Sequence, residues 1–221
     1  MFSLLSHRCL PNTRRDTDRG RLRLSATLPI KAGEQIVTSY KNPTLGSVAR
    51  RPHFPRVWYF HCCCSRCLDP TELGSHLSSL LCGDCGQPVT PRHPTYYNSP
   101  WVCSSSSCSL TLSAHQAMTR SVGLYRCLLS CPASPQHLAA LIAGLQSLAH
   151  PNHYVILQAK MKLVLLASND PAVVALQVSL AEEILALLDI VEPGLTKRRA
   201  EILRVGSALS NYSYDTPTNV E

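Results

Sequence analysis

The sequence predicts an α+β chain, with a β-rich N-terminal part fastened by bound metal and an all-α C-terminal part. Three observations carry this. Polar–apolar alternation and β-branched runs fall in the first forty residues. Cysteines then crowd into one tight turn and recur downstream as a second set. From Leu112 onward, apolar residues recur every three or four positions, the period of a helix facing a core.

A chain of 221 residues can bury a real core as one large domain or two small ones. Its hydrophobic content of 45% is that of a soluble globular protein. Met1 to Ser6 is too short for a signal peptide and lacks its basic start, and no apolar run is long enough to span a bilayer. The cysteines are therefore expected in a reducing compartment, nuclear or cytoplasmic, as metal-bound or buried thiols. The net charge of +7 is uneven, with twelve Lys and Arg against three acids in residues 1–66. These cations lack the aromatic interleaving of a base-stacking platform, so they read as a solvated basic face, and direct nucleic-acid binding is not expected. The competing reading, a nucleic-acid-binding zinc protein, would show steeply salt-dependent binding.

In chain order, Met1–Asn12 is an apolar lead closing in a turn at Pro11-Asn12, and the charged residues 13–19 suit a hairpin loop. Gly20 to Ala26 alternates as a half-buried strand. Ile30–Glu34 is a turn, and Gln35–Tyr40 a second strand. Pro52 and Pro55 make any helix over 50–59 short or broken.

The densest signal follows. Phe60-His61-Cys62-Cys63-Cys64-Ser65-Arg66-Cys67 places Cys62, Cys64 and Cys67 at Cys-x-Cys-x-x-Cys spacing, so one turn can point three thiolates at one ion. Structural zinc is tetrahedral, and Cys9 is the candidate for the fourth ligand. Cys63, between ligands, is expected to point away as a small buried residue. The alternative is a cluster of buried or disulfide-bonded cysteines. A second four-cysteine site is expected from the Cys82-Gly83-Asp84-Cys85 knuckle with Cys103 and Cys108, in the manner of a zinc ribbon. The serine run between Cys103 and Cys108 would otherwise be a flexible loop.

Helices are expected over 113–129, 135–149, 154–167, 171–188 and 197–209, with His150-Pro151-Asn152 as a break and N-cap. The short connections imply antiparallel neighbours in a bundle or a TPR-like superhelix. The histidines around 150 read as helix-boundary residues.

These residues together resemble a known family. Ser6-His7-Arg8-Cys9-Leu10-Pro11-Asn12 looks like the Asn-His-Ser-Cys-x-Pro-Asn motif of SET-domain lysine methyltransferases. Gly33-Glu34-Gln35-Ile36 and Ser39-Tyr40 resemble that family's Gly-Glu-Glu-Ile strand and its catalytic tyrosine. The Phe60–Cys67 stretch is similar to the post-SET zinc segment of the SMYD (SET and MYND domain) subfamily. The resemblance continues through Asp69–Ser75 and the second cysteine set, as in arthropod SMYD-like proteins, and into the helical tail at His150–Tyr154 and Glu192–Thr196.

The resemblance implies the C-terminal part of a SET domain over 1–50, a post-SET zinc segment over 51–76, a ribbon-like zinc segment over 77–112, and a TPR-like helical domain over 113–221. It implies a protein-lysine N-methyltransferase using S-adenosylmethionine, with a histone or non-histone protein as substrate. Tyr40 would be catalytic, Ser6, His7, Tyr40 and Phe60 would line the cofactor, and Cys9 would complete the post-SET zinc. Two departures are expected to weaken cofactor affinity, because Ser6 stands where the family has Asn and Arg8 where it has Ser. A serine hydroxyl is shorter than a carboxamide and lacks its paired donor and acceptor. The family's Gly-x-Gly segment and MYND cysteines have no counterpart here, which implies a chain beginning inside the SET domain. The alternative is a catalytically silent, zinc-stabilised interaction module.

Overall fold

The computed structural model describes residues 5–214, without side chains at 18 and 208–214. The apolar lead expected at residues 1–4 lies outside this range, as does the C-terminal end of the expected helical domain from 215 to 221.

The segment expected as a loop at 13–19 is instead a strand. β2 (Thr13–Asp18) pairs antiparallel with β3 (Arg21–Ala26) in a register running from Thr13↔Ala26 to Asp18↔Arg21. The two linking residues, Arg19 and Gly20, both have positive φ (45° and 75°), the geometry of the tight turn that suits twisted hairpins. Most of the hairpin faces solvent, so its strands need no apolar alternation. A run of charges therefore hid β2.

The opposite correction applies at 35–40, where only β4 (Val37–Thr38) forms, parallel to β1 (Ser6–His7). A side chain replaces the missing ladder. The Asn12 amide donates to the Gln35 carbonyl at 2.9 Å, and its oxygen accepts from the Val37 amide at 2.9 Å. As the prolines imply, residues 47–57 hold two short helices, α1 (Ser47–Arg50) and α2 (His53–Val57). A one-turn helix, α3 (Ser65–Leu68), closes the cysteine turn.

Next comes a four-stranded antiparallel meander of β5 (Leu80–Leu81), β6 (Pro88–Pro91), β7 (Trp101–Cys103) and β8 (Thr111–Leu112). Five long helices complete the described chain, namely α4 (Ala114–Ser130), α5 (Pro135–Leu145), α6 (Tyr154–Val164), α7 (Pro171–Val191) and α8 (Lys197–Tyr214). Each packs on its sequence neighbour. Their starts follow sequence chemistry. Ser113 and Gln116 form a reciprocal capping box, while Ser134 and Asp170 cap helices whose first residue is proline. The cap of α6 is His153, where the break at 150–152 had suggested an earlier residue; its Nδ1 accepts from the Val155 amide at 3.3 Å.

Two hydrophobic clusters result. The larger joins the meander (Leu80, Val89, Trp101, Leu112) to the helices, and the smaller gathers Cys9, Phe54, Cys62 and Cys67 with Tyr40 and Phe60. A buried ion network links the short helices to the turn after α3. Glu72 receives Arg50 at 2.9 Å and Arg66 at 3.0 Å on one oxygen, and the Ser47 amide (2.7 Å) and Ser78 hydroxyl (2.6 Å) on the other.

The turn between α7 and α8 closes against the end of the hairpin. Leu195 donates its amide to the Thr27 carbonyl at 2.9 Å. Gly194 sits at φ +85°, where an added Cβ would stand 2.0 Å from that carbonyl oxygen. Gly74 has a similar φ of +75° with nothing within 4 Å. Gly74→Ala therefore carries backbone strain alone, on the order of 1–3 kcal/mol. Gly194→Ala is expected to lose distinctly more, read as the difference between the two variants in urea denaturation midpoints.

His153 is fully buried and its Nε2 has no hydrogen-bond partner. Burial holds its pKa down at about 3. A group kept neutral this way contributes stability above its unfolded pKa that is lost as pH falls from there towards the folded value. Acidification from pH 7 to pH 5 is expected to cost the fold on the order of 2 kcal/mol through this residue. His153→Gln should flatten that part of the pH–stability curve.

Candidate active site and metal centres

Three segments converge at the smaller cluster. β1 leads directly into Cys9, the chain after β4 brings Tyr40, and the stretch from α2 to α3 supplies Phe54, Trp58, Phe60 and the cysteine turn. Cys9 and Cys67 are fully buried, Cys62 nearly so, and Cys64 half-buried. The four sulfurs lie within 4.8 Å of one another, with Cys9 at 3.5 Å from Cys67 and 3.9 Å from Cys62. Four thiolates bound about 2.3 Å from one tetrahedral ion stand about 3.8 Å apart, so the set fits zinc. All eleven cysteines are free thiols in this structure, none of them joined in a disulfide. Hydrogen bonds from Cys62, Cys64 and Cys67 hold the Cys9 thiol far below the ordinary cysteine range, towards the ligating thiolate. Cys63 does point away from the set, but it is exposed rather than buried.

The second set also assembles. Cys82 lies 3.6 Å from Cys108, and Cys85 lies 3.4 Å from Cys103, all four again within 4.8 Å. The long gap between Cys103 and Cys108 is closed locally. The Ser105 amide donates to the Cys103 sulfur at 3.4 Å, and the Cys108 amide to the Ser105 carbonyl at 3.2 Å. Burial resists ionisation of Cys82. The amides of Asp84 and Cys85 and the Cys108 thiol outweigh it, bringing this thiol to about 7. Either cluster can hold a zinc ion.

Tyr40 lies two residues beyond β4. Its amide donates to His7 Nδ1 at 3.1 Å, and its hydroxyl donates to the Leu5 carbonyl. The other His7 nitrogen sits 3.4 Å from Cys9 Sγ. One imidazole thus bridges the tyrosine backbone and a sulfur of the four-cysteine set, the kind of outer contact that orients a metal ligand. His7 and Phe60 pack around Tyr40, with ring centroids 5.2 and 6.3 Å away. Ser6 is exposed on β1.

Two members of this cluster were not singled out from sequence. The Trp58 ring packs on Tyr40 at 4.5 Å while remaining 45% exposed, which makes it a lip of the site. Phe54, fully buried, stacks on Phe60 at 5.3 Å. Tyr40 also lines a cleft of about 480 Å³ between the hairpin, residues 38–45 and the α7–α8 turn.

Comparison with known proteins shows what this chain is similar to. The chain is 35% identical over 106 residues to the SET domain-containing protein SmydA-8, isoform B, of Drosophila melanogaster, covering 47% of this chain and 24% of that protein. It is 36% identical over 89 residues to a SET and MYND domain-containing protein of Dictyostelium discoideum, covering 36% and 22%. It is 39% identical over 74 residues to the histone-lysine N-methyltransferase SET5 of Candida glabrata, covering 33% and 14%. The chain is a relative of the SMYD-type SET proteins. The match spans about a quarter or less of each relative's length, and no family model matches. Tyr40 packs against the first cysteine set and also lines the cleft.

Proposed function

We propose that this chain carries part of a SET-type protein-lysine N-methyltransferase that uses S-adenosylmethionine. The observation that carries the reading is the meeting of Tyr40, His7 and Phe60 against a four-thiolate metal centre, with Tyr40 opening into the cleft. S-adenosylmethionine would supply an electrophilic methyl group. Methyl displacement needs in-line geometry more than acid or base strength, so the protein contributes mainly by positioning. The Tyr40 hydroxyl and Leu5 carbonyl put two oxygens side by side where an amine could be oriented. Phe60, stacked on Phe54, offers an apolar wall for an adenine ring, and exposed Ser6 with the His7 backbone offers polar groups. These residues fit one side of a cofactor site. The metal centre holds the Trp58–Phe60 wall in place through Cys62.

The reading divides the chain as the resemblance implies, into SET part (1–50), post-SET segment (51–76), ribbon-like segment (77–112) and TPR-like helices (113–221). The SET5 relative is a histone-lysine N-methyltransferase by name. Here that suggests a protein lysine, histone or not, as substrate, and a nuclear or cytoplasmic setting. No helix among the described residues is long and apolar enough to cross a membrane.

Transfer of labelled methyl from S-adenosylmethionine to protein by the zinc-loaded chain tests the reading. Tyr40→Phe is expected to lower transfer by about a hundredfold with zinc content unchanged. A zinc-loaded chain that neither binds the cofactor in calorimetric titration nor transfers methyl overturns it. Ser6 and Arg8, both exposed and both departing from the family motif, favour the second reading, a silent interaction module. Tight cofactor binding would exclude that alternative.

A further inference from the structure

The cleft beside Tyr40 holds more positive charge than the fold uses. Arg14, Arg15 and Lys41 line it, and Lys197 and Arg198 stand where α8 begins at its edge. Two carboxylates serve these five cations. Asp16 is shared between Arg14 at 3.3 Å and Lys197 at 2.8 Å, and Glu192 pairs with Arg198. Arg15 donates only to the Ser39 carbonyl, at 3.2 Å, and is otherwise exposed to solvent. Neither Arg15 nor Lys41 meets a carboxylate among the described residues.

We propose that this cleft selects protein segments in which acidic residues flank the lysine presented to Tyr40, and rejects basic tails. The proposal rests on the lysine-methyltransferase reading above and adds the substrate class to it. Arg15 can grip a carboxylate through two parallel hydrogen bonds, a geometry its present carbonyl partner does not use up. Lys41 adds a point charge on the segment that leads from Tyr40. A basic segment in the same cleft would meet uncompensated like charge, which disfavours wrong partners more strongly than complementary charge raises affinity. A peptide suits the site better than nucleic acid. The cations gather around one short cleft beside Tyr40, whereas single-stranded nucleic acid is held by a groove with open aromatic faces. The one aromatic ring lining this cleft besides His53, Tyr40, is already packed by Trp58 and Phe60.

The test uses the zinc-loaded full chain and three fluorescent peptides followed by anisotropy. One carries lysine among Asp and Glu, one lysine among Arg, and one norleucine in the acidic context. The acidic lysine peptide is expected to bind about tenfold tighter than the basic one at low salt, with the gap closing at high salt. Arg15→Glu and Lys41→Glu should each narrow or invert the preference. The salt dependence of the unaltered chain keeps the test decisive if a variant fails to fold. Equal or tighter binding of the basic peptide, or a preference untouched by both charge reversals, overturns the proposal. So does displacement of the acidic peptide by a single-stranded oligonucleotide at lower concentration than by unlabelled peptide. Equal binding of the norleucine and lysine peptides would overturn the lysine reading beneath it while leaving the acid preference standing.

Discussion

Cys9→Ser is expected to unfold the N-terminal part of the chain while leaving most of its helical signal intact. Cys9 is fully buried at the centre of the smaller cluster, and its sulfur approaches Cys62 and Cys67 across 53 and 58 residues of sequence. The other ties across that loop are slight by comparison: two paired positions between β1 and β4 and a few side-chain hydrogen bonds of Asn12 and His7. Binding free energy at such a site is folding free energy, roughly 10 kcal/mol or more for a structural zinc ion. Removing one ligand or chelating the metal should therefore release the wall around Tyr40 together with any cofactor binding. Helices α4–α8 share a different core with the meander and should persist. Zinc analysis by plasma mass spectrometry, paired with far-UV and near-UV circular dichroism, checks both halves of the prediction. A Cys9→Ser protein with wild-type metal content and unchanged aromatic signal would sink the coordination scheme.

Glu72→Ala carries the second largest expected effect, a loss of about 3–5 kcal/mol, because it strands two buried charges. Arg50 and Arg66 are fully buried, and Glu72 is the carboxylate that pairs with both. Burial alone would push this carboxyl up. The two guanidinium groups and the donors from Ser78 and Ser47 overcome that and hold it at about 2. A carboxyl depressed in this way contributes stability that is complete above its ordinary pKa and is lost as pH falls towards the folded value. Glu72 should thus support the fold down to mildly acidic pH. Urea denaturation of Glu72→Ala and Glu72→Gln checks the size of the effect. A loss of less than 1 kcal/mol in the alanine variant would contradict the burial of the network.

Local chemistry in the sequence explains what could be read from it. The cysteine spacings announced both four-cysteine clusters, because thiols that meet around one point must be close in sequence or brought together by turns, and both signatures survive as residue patterns. Proline and cap residues announced most helix starts for the same reason. The interior of the Glu72 network was invisible, since Arg50 and Glu72 are 22 residues apart and no pattern marks a charge for burial. Strand β2 was hidden because the hairpin buries little, although the Arg19-Gly20 pair between two runs of like length was a usable turn signal. The shortness of β4 could not be foreseen, because the Asn12 side chain supplies hydrogen bonds that a strand partner would otherwise make. Phe54 and Trp58 were passed over beside the cysteines that follow them. Their role depends on a turn bringing them back onto Tyr40.

The sequence distance between Cys9 and its partners also orders events during synthesis. A nascent polypeptide leaves the ribosome N-terminal end first, so Cys9 waits until Cys67, 58 residues later, has emerged before the four-cysteine set can close. At ordinary elongation rates that wait lasts several seconds, during which a thiol destined for the interior is open to oxidants and proteases. Cellular zinc supply and thiol reductants at the point of translation would then set how much of the chain matures, independently of how stable the finished protein is.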